Sequence, residues 1–359
     1  YPTTIKVINA PDHIGSDLRG TDIMQMYGAL TRISEDGSTL AVVERGARSN
    51  QSNSDEIFIY KWQNNDWAKI TSFDCGNEKC GNSYYSGTEL SDDGNVIAFT
   101  SDENIYVYEY KEATNDDGST SMQYIQKGDT IIFPKSDDGY QYSYSSLDLH
   151  PTGNMLVGRA DVTGQTSSQL GSNFTIYDFS QDNAWVQRGS TFIDSSNSWR
   201  NYGKVKISPT GNIIAWATTD HSGDSSCDNI RGRVGILTWS GSAWLETDSI
   251  TSCDFAYQPS WHDSENNVSN YIGRDLQFNA SGTHLAVASE NYVYIETPNN
   301  TKNYSDNGVY HIHPISTTGT ISYDSSPLHM PYGFNGSNEA WPSYGGESLA
   351  FHRGDALGT

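Results

Sequence analysis

The chain has 359 residues and a formal net charge of −23. A polyanion repels phosphate backbones and anionic lipid surfaces, which argues against nucleic acid and membrane surfaces as partners. No apolar run approaches the roughly 18 residues that a spanning helix needs, and with only 18% charged residues the chain is not built from long solvated helices.

The 23 Tyr, 9 Trp and 11 Phe favour pleated, half-buried surfaces, and the 33 Gly belong with turns. The opening residues, Tyr1–His13, lack the basic and apolar regions of a signal peptide, so a secreted protein would be read here in its mature form. Thr4–Ile8 (TIKVI) is strand-like and has no local partner.

From Thr31 onward one pattern recurs: a short strand, a tight Gly turn, and a strand with Leu or Ile before Ala. It reads TRISEDGSTLAVVE (Thr31–Glu44), TELSDDGNVIAFTS (Thr88–Ser101), LDLHPTGNMLVGRA (Leu147–Ala160), VKISPTGNIIAWAT (Val205–Thr218) and LQFNASGTHLAVAS (Leu276–Ser289). The turn glycines Gly37, Gly94, Gly153, Gly211 and Gly282 are spaced by 57, 59, 58 and 71 residues, and a degenerate copy places Gly345 63 residues further on. Apolar and polar residues alternate on both sides of each turn, which is the period of strands, and the glycine supplies the positive φ of a hairpin.

A second hairpin follows each motif, with Trp67, Trp185 and Trp244 opening its last strand in three copies. In the fifth copy NYVYIET is expected to lead through PNNTKNYSDN as a loop to GVYHIHPI. Each repeat is therefore four antiparallel strands, and such units stacked in a ring are propeller blades. The expected fold is all-β: a single β-propeller domain over 1–359, with about six four-stranded blades (seven possible). Residues 1–27 form a closing segment; the blades lie at approximately 28–70, 87–130, 144–190, 203–250, 274–315 and 316–359. Thr4–Ile8 is expected to pair with Ser348–His352 and close the ring, which removes two sheet edges.

The SPTGNIIAWA and SEDGSTLAVV segments resemble the turn-strand motif of TolB-like and WD40-like propellers. The second hairpins, IYKWQNNDW and LTWSGSAW, resemble repeats of extracellular FG-GAP-like propellers. The resemblance covers residues 28–297 and implies the fold. The WD dipeptide with its partner His and the FG-GAP calcium loop are absent, so it implies neither an intracellular WD40 scaffold nor bound calcium.

Binding is expected on the face carrying the long loops Glu44–Glu56, Asp161–Ser172 and Thr219–Arg233, because loops on a rigid scaffold carry recognition. Cys75 and Cys80 frame a short loop, and Cys227 and Cys253 fall on one face of the fourth blade, so two disulfides are expected, Cys75–Cys80 and Cys227–Cys253. A zinc site is the rival reading, and it lacks a nearby His. Sequons occur at Asn50, Asn173, Asn267, Asn279, Asn299, Asn303 and Asn335, with glycans expected above all at Asn50, Asn299 or Asn303. Disulfides and sequons favour a secreted, oxidising location.

Candidate chemistry is sparse. The carboxylates of SEDG and SDDG repeat at one turn position and read as turn residues rather than a glycosidase pair. His311 and His313 share one side of a strand; Trp261-His262-Asp263 lacks a nucleophile; Tyr140, Tyr142 and Tyr144 could stack sugars or pack a sheet; Arg353-Gly354-Asp355 follows a strand. The expectation is a secreted, glycosylated structural or interaction subunit of an extracellular assembly, with no enzymatic activity, no cofactor and no metal. Its partners would be copies of itself or other extracellular proteins. A lectin-like propeller is the alternative, and a glycoside hydrolase the less favoured one.

Overall fold

The computed structural model describes residues 15–19, 26–45, 55–75, 87–101, 104–132, 141–163, 171–194, 203–218, 230–251, 270–296, 302–322 and 328–329. Among them there is no helix, and hence none long and apolar enough to cross a membrane; the strands form five sheets. The first holds β1 (Met26–Ile33), β2 (Thr39–Arg45), β3 (Glu56–Gln63) and β4 (Asp66–Asp74), in that order. The second holds β5 (Thr88–Leu90), β6 (Val96–Ser101), β7 (Asn104–Thr114), β8 (Thr120–Gln126) and the short β9 (Ile131–Ile132), which also pairs with β7. The third repeats this plan with β10 (Gln141–Leu149), β11 (Met155–Thr163), β12 (Gly171–Phe179), β13 (Trp185–Gln187) and β14 (Phe192–Asp194).

The fourth sheet holds β15 (Val205–Ile207), β16 (Ile213–Thr218), β18 (Arg233–Trp239) and β19 (Trp244–Thr251). Between its second and third strands, β17 (Ile230–Arg231) crosses over to pair in parallel with the fifth sheet. That sheet runs β20 (Asn270–Phe278), β21 (His284–Glu296), β22 (Lys302–Pro314) and β23 (Leu328–His329). This is a β-propeller with five blades described. The sixth repeat and the expected pairing of Thr4–Ile8 with Ser348–His352 lie outside the described residues.

The apolar core is distributed between blades rather than within any one of them. VIAFTS of β6 and IIAWAT of β16 are buried at every position, because a sheet packs against each face. Each cluster joins consecutive blades. Ile57 and Ile59 meet Ile97 and Phe99, Val107 meets Leu147 and Leu156, Phe174 meets Trp216, and Val234 meets Leu276 and Leu285. The opposite face of the first blade (Val42, Phe58, Tyr60) is covered in part by Leu18. Residues before the first blade thus pack where the last blade of a ring must arrive.

Polar contacts repeat this order. On the tight-turn face, the Glu35 amide donates to Asp92 O (2.9 Å) and the Asp92 amide to Pro151 O (3.0 Å), while His150 Nε2 meets Pro209 O at 3.0 Å. Two hairpin tryptophans lock the third and fourth blades to the ones before: Trp185 Nε1 donates to Lys127 O (2.7 Å) and Trp244 Nε1 to Arg188 O (2.9 Å). Gly128 and Gly189 follow those carbonyls at φ +72° and +76°, and a Cβ there would lie 2.9 Å from Trp185 and 2.8 Å from Trp239. Gly15 (φ +80°) stands in the same relation to Trp62, at 2.8 Å, and Ser16 donates to Asp66 through its amide and hydroxyl. By this equivalence residues 15–16 take the place of a preceding blade's last-strand corner.

Two expectations change here. NYVYIET is not a separate third strand. It is the outer half of the 13-residue β21, which pairs through thirteen consecutive rungs with β22, so that PNNTKNYSDN is partly strand and Asn303 sits in β22 opposite Ile295. Alternating Tyr292, Val293 and Tyr294 extend the hairpin outward instead of breaking it. The fifth sheet then ends at β23, beyond the expected boundary at residue 315.

The turn glycines do more than permit a left-handed φ. A Cβ on Gly153 (φ +68°) would lie 2.6 Å from Val96 of the preceding blade, whereas one on Gly37 (φ +70°) meets nothing within 4 Å. Gly37→Ala should therefore cost about 1 kcal/mol from backbone strain alone, and Gly153→Ala about 2–4 kcal/mol once the interblade clash is added. Equilibrium denaturation of the two variants measures the difference, and equal costs would remove the close-approach argument.

Candidate active site on the propeller axis

The first strand of each blade is in the same register. The rungs Ile33–Leu40, Leu90–Ile97, Leu149–Leu156, Ile207–Ile214 and Phe278–Leu285 are equivalent. The preceding residues are Arg32, Glu89, Asp148, Lys206 and Gln277, each five positions before its turn glycine. Strand alternation points them away from the interblade face on which their apolar neighbours sit.

Four of these side chains meet. Glu89 accepts from Arg32 Nε at 2.9 Å and Nη2 at 3.2 Å, and from Lys206 Nζ at 3.3 Å. Lys206 also donates to Asp148 Oδ1 at 2.6 Å, and Asp148 Oδ2 accepts the Ile207 amide at 2.7 Å. Glu89 and Lys206 belong to the second and fourth blades, so their contact spans the third. This is the convergence expected of inner strands around an axis. Glu89 and Asp148 are buried, and Arg32, Lys204 and Lys206 are half-buried, so solvent reaches the cationic side of the cluster.

Burial alone would raise the pKa of Glu89, but Arg32 and Lys206 outweigh it and hold the carboxyl below its usual range. Burial opposes the charge on Lys206 too, and Asp148 and Glu89 overcome it, so its pKa rises. Asp148 goes up: burial leads, Glu89 adds to it, and Lys206 only partly offsets them. Lys204 lies two residues before Lys206, immediately ahead of β15. Burial pulls it down to about 8, with Arg32 and Lys206 adding to the fall and Asp275 and Glu89 opposing it.

Because the folded pKa of Glu89 is depressed, its stabilisation is present above the unfolded value near 4.3 and lost as pH falls through the folded value. Glu89→Gln should cost about 2–4 kcal/mol at pH 7, because it leaves two cations facing each other, and the cost should shrink progressively as pH falls below about 4. Denaturant titrations across that range give the result directly.

The sequence-expected site residues do not gather here. Asp36 and Asp93 are used within their own turns: Asp36 accepts from Ser34 Oγ (2.6 Å) and the Ser38 amide (2.9 Å), and Asp93 accepts from Ser91 Oγ (2.6 Å) and the Asn95 amide (3.0 Å). His311 and His313 stack on one side of β22 with ring centroids 6.0 Å apart. Among the described residues no group of three His, Cys, Asp or Glu is placed to hold a metal. Asn279 is the turn cap of the fifth blade, donating to Ser281 and Thr283 and accepting the His284 amide. Asn173 is half-buried in β12, between β11 and β14.

Cys75 is disulfide-bonded. Cys80, Cys227, Cys253, Asn50, Asn267, Asn299, Asn335, Tyr140, Trp261-His262-Asp263 and Arg353-Gly354-Asp355 lie outside the described residues, as does the pairing of the cysteines. Tyr142 and Tyr144 lie in β10. The axial residues were missed, although one signal could have found them: an ionisable residue at a fixed offset from the turn glycine in four of five repeats.

No family model and no curated protein sequence matches the chain. Solved structures similar to it include a periplasmic gluconolactonase from Pseudomonas aeruginosa, at 11% identity and a TM-score of 0.41, covering 82% of this chain and 84% of that one. A proposed 6-phosphogluconolactonase from Bacteroides uniformis is 10% identical with a TM-score of 0.39, covering 84% and 85%. A proposed TolB from Agrobacterium tumefaciens is 12% identical with a TM-score of 0.37, covering 85% and 82%. The coarse reading as a propeller-like all-β fold stands. The narrower likeness to WD40-like and FG-GAP-like families has no sequence match behind it.

The expectation of a secreted structural subunit without enzymatic activity is corrected. It rested on seeing no convergent ionisable set in the sequence. Such a set exists. It is assembled from residues about one repeat apart, a separation at which sequence alone shows no convergence.

Proposed function

We propose that the chain is a hydrolase that cleaves a small carboxylic ester or lactone at the axial cluster, with Lys204 as general base. The observation that carries this reading is the meeting of Arg32, Glu89, Lys206 and Asp148 from four blades at one level, with Lys204 alongside. An amine that loses its proton near pH 8 is matched to proton abstraction from water close to neutrality. In the proposed step water attacks the carbonyl carbon as its proton passes to the neutral Lys204 amine. The oxyanion forms beside the Arg32 guanidinium, which Glu89 already holds in place. Collapse breaks the C–O bond, and the departing alkoxide recovers the proton from the Lys204 ammonium.

Disulfide-bonded Cys75 supports an oxidising compartment for this activity. The test is a panel of lactones and esters, with gluconolactone and 6-phosphogluconolactone included. Saturable turnover of at least one member supports the reading, and none above the buffer rate across the panel at pH 8–9 overturns it.

A further inference from the structure

Among the equivalent residues of the five first strands, Gln277 of β20 is the odd member. The other four are bonded to one another. Both carboxylates are occupied: Glu89 holds Arg32 and Lys206, and Asp148 holds Lys206 and the Ile207 amide. Arg32 spends its other terminal nitrogen, Nη1, on Thr31 O at 2.9 Å. Gln277 makes a single long contact, from Nε2 to the neighbouring Phe278 O at 3.4 Å, and among the described residues its Oε1 accepts no hydrogen bond. The residue is half-buried, so solvent reaches it.

The strand that carries Gln277 is held in place. Leu276 and Phe278 on either side of it are buried in the core shared with the fourth blade. A bulge between Ile272 and Asp275 sets the aim of the residues that follow it. Within that bulge Gly273 (φ +85°) presses so closely on Ala217 of β16 that a Cβ has no room. β20 also faces the proposed chemistry: the charge of Asp275, two residues before Gln277, acts on both Arg32 and Lys204. An ionised carboxylate only accepts hydrogen bonds, and an ammonium or guanidinium only donates them. An amide does both, as a hydroxyl does. We propose that Gln277 sets the specificity of the axial cluster by hydrogen-bonding a hydroxyl near the scissile carbonyl, so that the substrate is a hydroxylated ester or lactone, a role that rests on the hydrolase reading above.

The probes are α-hydroxy-γ-butyrolactone and γ-butyrolactone, which differ only in the hydroxyl. Calorimetric titration into the Lys204→Met chain reads binding without turnover, and kcat and KM of the native chain read the chemistry. The hydroxylated lactone should bind about tenfold more tightly than its partner. Gln277→Met, added to the same background, should bring that ratio to within about twofold by weakening the hydroxylated ligand alone. In the otherwise native chain it should raise KM for the hydroxylated lactone about tenfold and leave kcat within about threefold. Melting curves check that each variant folds, and if Gln277→Met unfolds, Gln277→Asn, which draws the amide back by one carbon, is read in the same way. Discrimination in binding without any turnover would keep the contact to Gln277 and remove the hydrolase reading. Equal binding of the two lactones, no saturable binding of either, or a ratio unchanged by the folded variant would each overturn the proposal.

Discussion

Lys204→Met should lower kcat/KM on any substrate the chain turns over by about 10²–10⁴-fold, the usual span for removing a general base. The fold should survive the change. Lys204 titrates at about 8 in the folded chain, below its value of about 10.4 in the unfolded one. Between those values the unfolded state binds more protons, so native stability rises with pH across the window. Below it, the full cost of holding a half-buried, partly desolvated ammonium is present. Removing the charge at pH 7 should therefore leave the melting temperature equal or higher. A variant that is inactive and also strongly destabilised would mean that Lys204 is structural. A variant that is stable and inactive places it in the chemistry.

Arg159→Met should destabilise the fold by about 3–5 kcal/mol. Arg159 is fully buried in β11 and reaches into the next blade, where Nη1 donates to Gly203 O at 2.7 Å and Ala217 O at 2.6 Å. Nη2 donates to Ser172 Oγ at 3.0 Å. Methionine nearly fills the volume but donates nothing, so two carbonyls of the fourth blade lose a donor in a place water does not reach. Volume-conserving swaps by themselves cost under about 1.5 kcal/mol. A shift in the denaturation midpoint worth less than that would show the hydrogen bonds to be unimportant. Arg159→Lys, which keeps the charge but not the fork, should fall between.

The blades were legible because their signals are local. Gly37, Gly94, Gly153, Gly211 and Gly282 all take positive φ in tight turns, and the flanking strands pair as their alternation implied. Trp67, Trp185 and Trp244 marked the opening of the last strand in their blades, although the bonds of Trp185 and Trp244 to the preceding blade's carbonyls could not be read from one repeat. Long-range consequences were hidden. Nothing near Glu89 in sequence announces Lys206, 117 residues away, and the contact exists only once a ring brings first strands together. Aspartates in turns drew attention because they repeat, yet Asp36 and Asp93 spend their oxygens on their own hairpins. Arg159 is one polar residue in the segment MLVGRA, and two of its acceptors, Gly203 O and Ala217 O, lie in a blade that sequence cannot place beside it. The fifth blade misled for a different reason: an Asn-rich run, PNNTKNYSDN, reads as loop by composition, while the register of β21 carries it outward as strand.

The most direct test of the axial site is the pH dependence of kcat/KM for the best substrate of the panel. With Lys204 as the base, kcat/KM should climb with pH and level off, with an apparent pKa near the folded value of about 8, and Lys204→Met should flatten the climb as well as lower it. A profile that is level from pH 6 to 9, or one whose rising limb survives unchanged in Lys204→Met, would contradict the assignment of the base and with it the account of the axis as the catalytic centre.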